Sequence, residues 1–571
     1  MMKPRGLANN LTEYGDSEFA LYLRRSFAKA MGFSDEALAR PVIGILNTYS
    51  ELNNCHRHFP QLVEAVKRGV WQAGGLPLEF PTISLGEVFL SPTSMLYRNL
   101  MSLDVETMLR AQPLDAVVLT GGCDKTMPAL LMGAASAGVP AIAVVAGPML
   151  ANQYEGERIG ACTDCRRYWA KYRRGEIDRA QIDTIEGQLA PTPGTCGVMG
   201  TASTMACLTE ALGMTLLGGA SIPAVYADRM RHAEQAGKQA CRLAETRLTP
   251  EHILTPEAFD NALRVLQAIG GSTNAVIHLT AIAGRLGIKL DLERLNELAE
   301  TTPVLLDLKP TGEGYMEDFH RSGGMPVVMQ ELKHLLHLDA RTVTGRTWRE
   351  ILDAPCTFPT WQTFIRPAAE PLQSQGALIM LRGNLAPDGA VLKRSAASPD
   401  LINRTGRAVV FSSLDDLAAR IDSPDLDVTP DDFLVLQNAG PLGAPGMPEA
   451  GYLPIPKKLT GVKDMVRISD ARMSGTAFGT IILHVTPEAA VGGPLGLVRN
   501  GDRIELSADR RELNLLVDAQ ELERRRAEAQ PHVKPATRGY EYLYQQHCQQ
   551  ANLGADFDFL RHPSLREAEE Q

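Results

Sequence analysis

The chain has 571 residues, of which 44% are hydrophobic and 22% are charged, and its formal net charge is −10. This length exceeds what one hydrophobic core supports, so we expect at least two domains. The chain has 57 Lys and Arg against 67 Asp and Glu, so its net charge gives no electrostatic reason to expect nucleic acid or an anionic membrane as a partner.

The N-terminal residues MMKPRGLANNLTEYGDSEFA lack the apolar stretch of a secretory signal. The sequence also lacks an uncharged apolar run of about 18 residues, the length that spans a bilayer. We therefore expect a cytoplasmic protein. Nine cysteines in such a chain argue against a disulfide framework and favour buried thiols, catalysis or metal binding.

From about Pro41 to Ile222, short apolar runs alternate with segments of helical spacing. PVIGILN, DAVVLTGG, PAIAVVAG and ASIPAVYA are typical of strands buried on both faces, and HFPQLVEAVKRGVWQAG is typical of a helix. This alternation predicts an α/β/α domain with a mainly parallel sheet. Ligands of such sheets lie beyond the carboxyl ends of the strands, which is where the polar motifs fall.

Residues 228–350 have a mostly helical pattern, and the polar, Pro-bearing segment 366–376 is typical of a linker. Beyond it, GRAVVF, FLVLQNAG, GTIILHVTP and the hairpin RIELS–ADRR–ELNLLVD indicate strands. We predict a large α/β domain over residues 1–370 and a smaller β-rich, barrel-like domain over residues 377–571.

Three cysteines stand in Gly-rich or Asn-rich loops that are far apart in the sequence: Cys55, Cys123 and Cys196. Thiolates are soft ligands that suit iron–sulfur clusters, and three of them would leave one iron position open for a substrate. The alternative is that all three are buried structural thiols in turns. The charged residues Asp124 and Lys125 directly follow an apolar strand, which favours a functional site.

Five motifs in a fixed order resemble the dihydroxy-acid and sugar-acid dehydratase family, which contains dihydroxy-acid dehydratase and phosphogluconate dehydratase. The motifs are TGGCDKTMPALLMGAASAGVPAI, PGTCGVMGTASTM, GGSTNAVIHL, GPLGAPGMPE and ISDARMSGTAFG. The resemblance extends from about Asn47 to Ser507 and implies a dehydratase, a hydro-lyase that removes water from a hydroxylated acid.

The resemblance also implies two cofactors. It assigns an iron–sulfur cluster to the three cysteines, for which we favour [2Fe–2S] over [4Fe–4S]. It assigns Mg²⁺ to oxygen ligands, which suit a hard cation, at Glu87, Asp124, Glu449 and Lys125. A carbamylated Lys125 would be an anionic ligand, and the sequence leaves open whether this modification is present.

The family's proposed base corresponds to Ser474 in SDARMSG. The implied reaction removes the C2 proton, loses the 3-hydroxyl and gives a 2-keto-3-deoxy acid, with Lys125 also in the catalytic centre. A serine hydroxyl is a weak base, so positive charge must draw off its proton. Ser272, Thr273 and Thr476 are further expected substrate contacts, although GGSTN alone would also suit a phosphate-binding loop.

The motifs NNCHRHF and GTCGVMGTASTM resemble pentonate and hexonate dehydratases more than dihydroxy-acid dehydratase. We therefore expect a sugar acid such as arabinonate, xylonate or gluconate as the small-molecule substrate, and a homodimer or homotetramer. Two alternatives remain: dihydroxy-acid dehydratase of branched-chain amino-acid synthesis, and an iron–sulfur redox or sensor protein. The second would not need Glu87, Glu449 or Ser474.

Cys162 and Cys165 form a C-x-x-C pair, which is typical of redox pairs or of half a zinc site. No second such pair completes four zinc ligands, so we favour free thiols in a loop or interface segment. The other cysteines have helix-like or turn contexts and are expected to be core or surface thiols: Cys207, Cys241, Cys356 and Cys548.

Overall fold

The computed structural model describes residues 5–354, 359, 361–450, 453–529, 532–533 and 535–569, so Cys356 lies outside the described residues. The strands are β1 Val42–Asn47, β2 Leu76–Pro81, β3 Ala116–Gly121, β4 Ala141–Val145, β5 Asn152–Tyr154, β6 Glu157–Ile159, β7 Leu378–Gly383, β8 Ala386–Lys393, β9 Asn403–Phe411, β10 Phe433–Leu436, β11 Arg467–Ser469, β12 Ile481–Thr486, β13 Arg503–Ser507 and β14 Glu512–Leu515.

The α-helices of the described residues are α1 Ser17–Ala30, α2 Asp35–Leu38, α3 Phe59–Gln72, α4 Arg98–Ala111, α5 Thr126–Ala137, α6 Thr163–Arg173, α7 Arg179–Glu186, α8 Thr201–Ala211, α9 Ala227–Thr246, α10 Pro256–Ala268, α11 Asn274–Gly284, α12 Leu292–Thr301, α13 Met316–Arg321, α14 Gly324–Glu331, α15 Trp348–Leu352, α16 Leu414–Arg420, α17 Ala519–Glu528, α18 Gly539–His547 and α19 Pro563–Glu569. Among them, none combines the length and the apolar character needed to span a bilayer.

The N-terminal part contains a parallel four-stranded sheet in the order β2-β1-β3-β4. Three of the predicted strands are confirmed, but the segment ASIPAVYA is not a strand, and β2 takes the fourth place. Pro223 in that segment has no N–H to give to a ladder. The Arg229 guanidinium donates instead to the carbonyls of Gly219 and Ile222, which satisfies this buried backbone without a neighbouring strand.

Helices cover the sheet, and two of them pack very closely. In α3, a Cβ on Gly69 would lie 2.0 Å from the carbonyl oxygen of Glu234 in α9. In α9, a Cβ on Gly237 would lie 2.3 Å from the carbonyl oxygen of Val66 in α3. Glycine at both positions lets the two backbones approach, which anchors α3 and with it the loop that precedes the helix and carries Cys55.

The C-terminal part contains a closed eight-stranded barrel in the order β10-β11-β12-β8-β7-β14-β13-β9. The predicted fold class, α/β with a mainly parallel sheet plus a β-rich, barrel-like part, is confirmed. The predicted hairpin corresponds to the antiparallel pair β13 and β14. The hairpin of β7 and β8 was missed by the sequence reasoning. The domain limits at residues 370 and 377 stay a prediction.

Candidate active site

The predicted cluster and metal ligands of the N-terminal part lie at one edge of the parallel sheet. Glu87 follows β2, Cys55 follows β1, and Cys123 and Asp124 follow β3. The segment that carries Cys196 bridges the residues just after β4. Because the carboxyl ends of parallel strands meet at the same edge, four stretches that are distant in sequence converge there.

The three cysteine loops contact one another through residues beside each cysteine. The amide of Cys123 donates to His56 Nε2 at 3.1 Å, and the amide of Gly194 donates to the carbonyl of Asn54 at 3.4 Å. A Cβ on Gly122 would lie 2.3 Å from the Cβ of Ala146, so glycine lets the Cys123 loop pass close to the residue that follows β4. The three loops therefore adjoin through their backbones, while the thiols of Cys55 and Cys123 contact each other and the Cys196 thiol contacts Cys162.

His56 is fully buried and fixes the backbone at Cys123. Its Nδ1 lies 2.8 Å from the carbonyl oxygen of Thr48, so Nδ1 carries the proton and Nε2 is free to accept from the Cys123 amide. Burial lowers the pKa of His56 to about 3, which keeps the ring neutral. His56 therefore orients the loop of a predicted ligand rather than binding metal itself.

The thiols of Cys55 and Cys123 interact with each other. This contact, together with burial, raises the pKa of Cys55 well above its usual value. For Cys123 the contact lowers the pKa, but burial and the charges of Asp124 and Glu87 outweigh it and raise the value. Two buried thiols in contact suit a soft cation. Coordination would replace both thiol protons, and the positive charge of the metal would balance the two thiolates.

Three carboxylates meet beside the thiols. One oxygen from each of Glu87, Asp124 and Glu449 lies within 4.8 Å of the others. Lys125 Nζ lies 3.2 Å from Glu87 and is also paired with Asp124. The lysine is fully buried. Arg472, equally buried, donates to Glu449 at 2.9 Å. This set of three acids and two bases joins the sheet to the barrel, since Glu449 and Arg472 belong to the C-terminal part.

The charges of this cluster act on one another. Burial alone would raise the pKa of Glu87, but the positive charges of Lys125 and Arg472 lower it below its usual range. Burial and the charge of Glu87 raise the pKa of Asp124. Burial lowers the pKa of Lys125, but the surrounding carboxylates outweigh it and raise the value. Oxygen donors in this arrangement suit a hard divalent cation.

Arg472 was missed by the sequence reasoning, although it lies inside the SDARMSG motif. Its guanidinium contacts Glu449, Glu87 at 3.5 Å and the hydroxyl of Thr93 at 2.7 Å. The available signal was a charged residue among small residues in a Gly-rich loop. Because Arg472 precedes Ser474 by two positions, its ion pairs fix the start of the loop that carries the predicted base.

The loop of Ser474 lies against the N-terminal part. Ser474 Oγ is 2.9 Å from Thr476 Oγ1, and the amide of Ala477 donates to the Ser474 carbonyl, which makes a tight turn. The amide of Gly475 donates to Thr201 Oγ1 at 3.4 Å. Thr201 opens α8, the helix that follows the Cys196 loop, so the predicted base and this predicted cluster ligand lie on adjoining loops.

The GGSTN segment, residues 270–274, packs against the Ser474 loop and against Thr201. Ser272 is fully buried, and its hydroxyl bonds to Thr201 Oγ1 at 2.8 Å and accepts from the amide of Asn274 at 3.2 Å. Thr273 precedes α11 and is also buried. Both of these partners of the Ser272 hydroxyl belong to the protein, so the hydroxyl helps to hold the neighbouring loops together. The expected substrate contacts of Ser272 and Thr273 stay a prediction.

A cavity of about 490 Å³ lies between α6 and residues 454–463. Its lining includes one acidic side chain, Glu176, and five basic ones: Arg173, Arg174, Lys457, Lys463 and Arg467. Four of the bases pair with carboxylates of Asp422, Glu176 and Asp464. Ala170 of α6 also lines it, and Arg166, one turn earlier on the same helix face, lies 3.8 Å from Glu449. One face of α6 therefore connects this basic cavity with the carboxylate cluster.

Comparison with known proteins agrees with this arrangement. Residues 40–351 match the model of the dihydroxy-acid/6-phosphogluconate dehydratase N-terminal domain, and residues 363–555 match the C-terminal domain. The chain belongs to this family. The resemblance of the five motifs is thereby confirmed, and the chain is a dehydratase, that is, a hydro-lyase.

Among the relatives, the 6-deoxy-6-sulfo-D-gluconate dehydratase of Pseudomonas putida is 50% identical, with 92% of each chain covered. The L-arabinonate dehydratase of Rhizobium leguminosarum bv. trifolii is 48% identical, with 98% of this chain and 97% of the relative covered. The dihydroxy-acid dehydratase of Pyrococcus abyssi is 40% identical, with 93% and 97% covered.

Proposed function

We propose that this dehydratase converts a sugar acid to its 2-keto-3-deoxy acid, with an iron–sulfur cluster and Mg²⁺ as cofactors. The observation that carries the proposal is the meeting of Glu87, Asp124 and Glu449 beside the cysteine loops. The higher identity to the arabinonate and sulfogluconate dehydratases than to the dihydroxy-acid dehydratase supports a sugar acid as the substrate.

The residues present fit both cofactors. Buried thiols in contact offer soft ligands at Cys55 and Cys123, and Cys196 lies on the adjoining loop. The carboxylate cluster offers hard oxygen ligands. When bound, the two cofactors would supply Lewis acidity, at the substrate carboxylate and 2-hydroxyl and at the leaving 3-hydroxyl.

The protein's own side chains would divide the remaining tasks. Ser474, once its own hydroxyl proton has been lost to solvent, would accept the C2 proton at Oγ and return to the neutral hydroxyl. Thr476, whose hydroxyl lies 2.9 Å away, would hold that oxygen in place. Arg472 would keep Glu87 ionised and would hold both Glu87 and Glu449 in position. Burial of Asp124, Lys125 and Arg472 would limit the access of water on one side of the cluster and strengthen their electrostatic contacts. The product is an enol that becomes a 2-keto acid, so the reaction needs no net oxidation.

A panel of acids tests the substrate class. We expect kcat/KM for L-arabinonate, D-xylonate or D-gluconate to exceed that for 2,3-dihydroxyisovalerate at least about a hundredfold, because polar groups built for hydroxyls stay unpaired beside methyl groups. Formation of 2-keto acid by the holoenzyme measures this. Turnover confined to 2,3-dihydroxyisovalerate would replace the proposed substrate class with that of dihydroxy-acid dehydratase, and no turnover with any of these four acids would exclude them as substrates.

The basic cavity beside α6 favours a second substrate candidate, a sugar acid with a distal sulfonate or phosphate. Lys463 lines this cavity and is exposed within it. If the cavity receives the distal anion, Lys463→Met is expected to raise KM for 6-deoxy-6-sulfo-D-gluconate by about tenfold, while KM for L-arabinonate changes little. Lys29→Met, at an exposed position in α1, is the matched control. Equal effects on both acids would contradict this assignment.

A further inference from the structure

The C-x-x-C pair lies directly against a predicted cluster ligand, and the proposed function does not use it. Cys162 immediately precedes α6 and Cys165 lies in its first turn. Cys162 Sγ is 2.7 Å from Cys196 Sγ, and Cys165 Sγ is 2.6 Å from the carbonyl oxygen of Cys162. The Cys165 thiol also interacts with the Cys162 thiol, so Cys162 contacts both of the other thiols.

The backbone on both sides of these thiols is anchored. The amide of Gly197 donates to the carbonyl of Ala161 at 3.2 Å, which ties the Cys196 loop to the start of α6. Asp164, fully buried, accepts from the amide of Gly160 at 2.9 Å and from the hydroxyl of Tyr315 at 2.8 Å. The contact between Cys162 and Cys196 is thus a fixed feature of the fold.

The position of the pair suits thiol–disulfide exchange. Cys162 is the N-cap of α6 and Cys165 lies in its first turn, so the partial positive charge of the helix start lies at the thiols. It opposes other influences on the pKa of both thiols. For Cys162 the contact with Cys165 lowers the pKa, but the contact with Cys196 and burial outweigh it and raise the value. For Cys165 the contact with Cys162 and burial raise the pKa. A C-x-x-C pair at a helix N-terminus is an arrangement in which one thiolate attacks a disulfide and the second resolves it. Here the third thiol belongs to Cys196.

We propose that Cys162, Cys165 and Cys196 form a thiol–disulfide exchange site that acts on the chain when the cluster is absent. This inference rests on the proposed function in one respect, the assignment of Cys196 as a cluster ligand. In the first step, a low-molecular-weight disulfide such as glutathione disulfide accepts two electrons. The thiols of Cys162 and Cys196 lose two protons and form one S–S bond, and two molecules of glutathione are released.

In the second step, the Cys165 thiolate attacks the sulfur of Cys162. The bond between Cys162 and Cys165 forms, the bond between Cys162 and Cys196 breaks, and Cys196 leaves as a thiolate. The proton lost by Cys165 goes to Cys196 or to solvent, so the step needs no further oxidant. Cys196 is then reduced and ready to bind iron, while the C-x-x-C pair holds the oxidation.

Disulfide mapping of the full-length chain tests this site. The purified protein is stripped of iron with a chelator, reduced, freed of reductant and incubated with glutathione disulfide for several hours. Remaining thiols are alkylated, and the disulfide-linked peptides are identified by mass spectrometry. The variants are Cys165→Ser and Cys162→Ser, and the matched control is Cys207→Ser, which changes a fully buried thiol on α8.

Each variant has a distinct expected result. The wild type and Cys207→Ser should give mainly the Cys162–Cys165 disulfide with Cys196 free. Cys165→Ser should trap the Cys162–Cys196 disulfide, and its iron uptake after oxidation should fall about fivefold or more until a dithiol is added. Cys162→Ser should leave Cys196 as a mixed disulfide with glutathione. Recovery of Cys196 from Cys165→Ser as a free thiol, or joined to glutathione or to a different cysteine, would overturn the proposal.

The experiment separates this inference from the proposed function. Disulfide mapping uses the cluster-free chain and does not depend on turnover. If Cys196→Ser still binds a full complement of iron, Cys196 is not a cluster ligand and the proposed function fails at that point. The mass spectra would still show, independently of that result, whether Cys165→Ser contains the Cys162–Cys196 disulfide.

Discussion

Ser474→Ala is expected to lower kcat about a thousandfold while the iron and magnesium contents stay the same. The loss follows from the removal of the group that accepts the C2 proton, since a positioned base contributes about 10²–10⁴ to a rate. The metal contents should persist because the side chain bonds to Thr476 and is not among the cluster or carboxylate residues. Steady-state kinetics on L-arabinonate and metal analysis of the same preparation measure both.

A matched control for this variant is Ser469→Ala, five residues earlier on the same chain segment. The hydroxyl of Ser469 accepts from the amide of Ala471 at 3.0 Å, so its loss should cost stability by about 1 kcal/mol and leave kcat within a few-fold. If Ser474→Ala retains more than a tenth of wild-type kcat, another group removes the C2 proton. Equal losses in both variants would point to loop disorder.

Much of the fold could be predicted because local patterns determine it. β1, β3 and β4 are unbroken apolar runs, and such runs are typical of strands that are covered on both faces. The error at ASIPAVYA has a tertiary cause: the Arg229 guanidinium satisfies carbonyls that a neighbouring strand would otherwise satisfy. A short apolar run with a proline carries no local signal that separates the two outcomes.

The residues of the candidate site could likewise be predicted only in part from the sequence. The identities of the cysteines and of Glu87, Asp124 and Glu449 were available from the motifs. The buried ion pair of Arg472 with Glu449 joins residues that are close in space only after the barrel has formed. The contact between Cys162 and Cys196 likewise depends on how α6 packs against the Cys196 loop. No sequence spacing encodes either contact.

The carboxylate cluster could bind a cation or could serve only as a buried ion-pair network. Three carboxylates face the three positive charges of Lys125, Arg472 and Arg166, so the formal charges of the cluster sum to zero. Carbamylation of Lys125 would change the charge of this side chain from positive to negative and give the cluster a formal net charge of −2. Attraction for Mg²⁺ would then be far stronger, so bicarbonate is part of the buffer in any test of binding.

Glu449→Gln is expected to weaken Mg²⁺ binding at least about a hundredfold, or ~2.7 kcal/mol, because a neutral amide replaces one of three anionic ligands. Glutamine keeps an oxygen that can accept from Arg472, so the buried guanidinium retains a partner and the chain should fold. Titration of the chelator-treated protein with Mg²⁺ by calorimetry measures the affinity.

Glu210→Gln is the matched control for that titration, because Glu210 is a fully buried carboxylate that accepts from backbone amides of Gly218 and Ala220. It should alter thermal stability and leave the Mg²⁺ affinity unchanged. An unchanged Mg²⁺ affinity in Glu449→Gln would mean that the carboxylates form ion pairs with the neighbouring basic side chains and do not bind Mg²⁺. Buried ion pairs are costly to form and add little stability over apolar packing, which favours a bound cation over a purely structural network at this cluster.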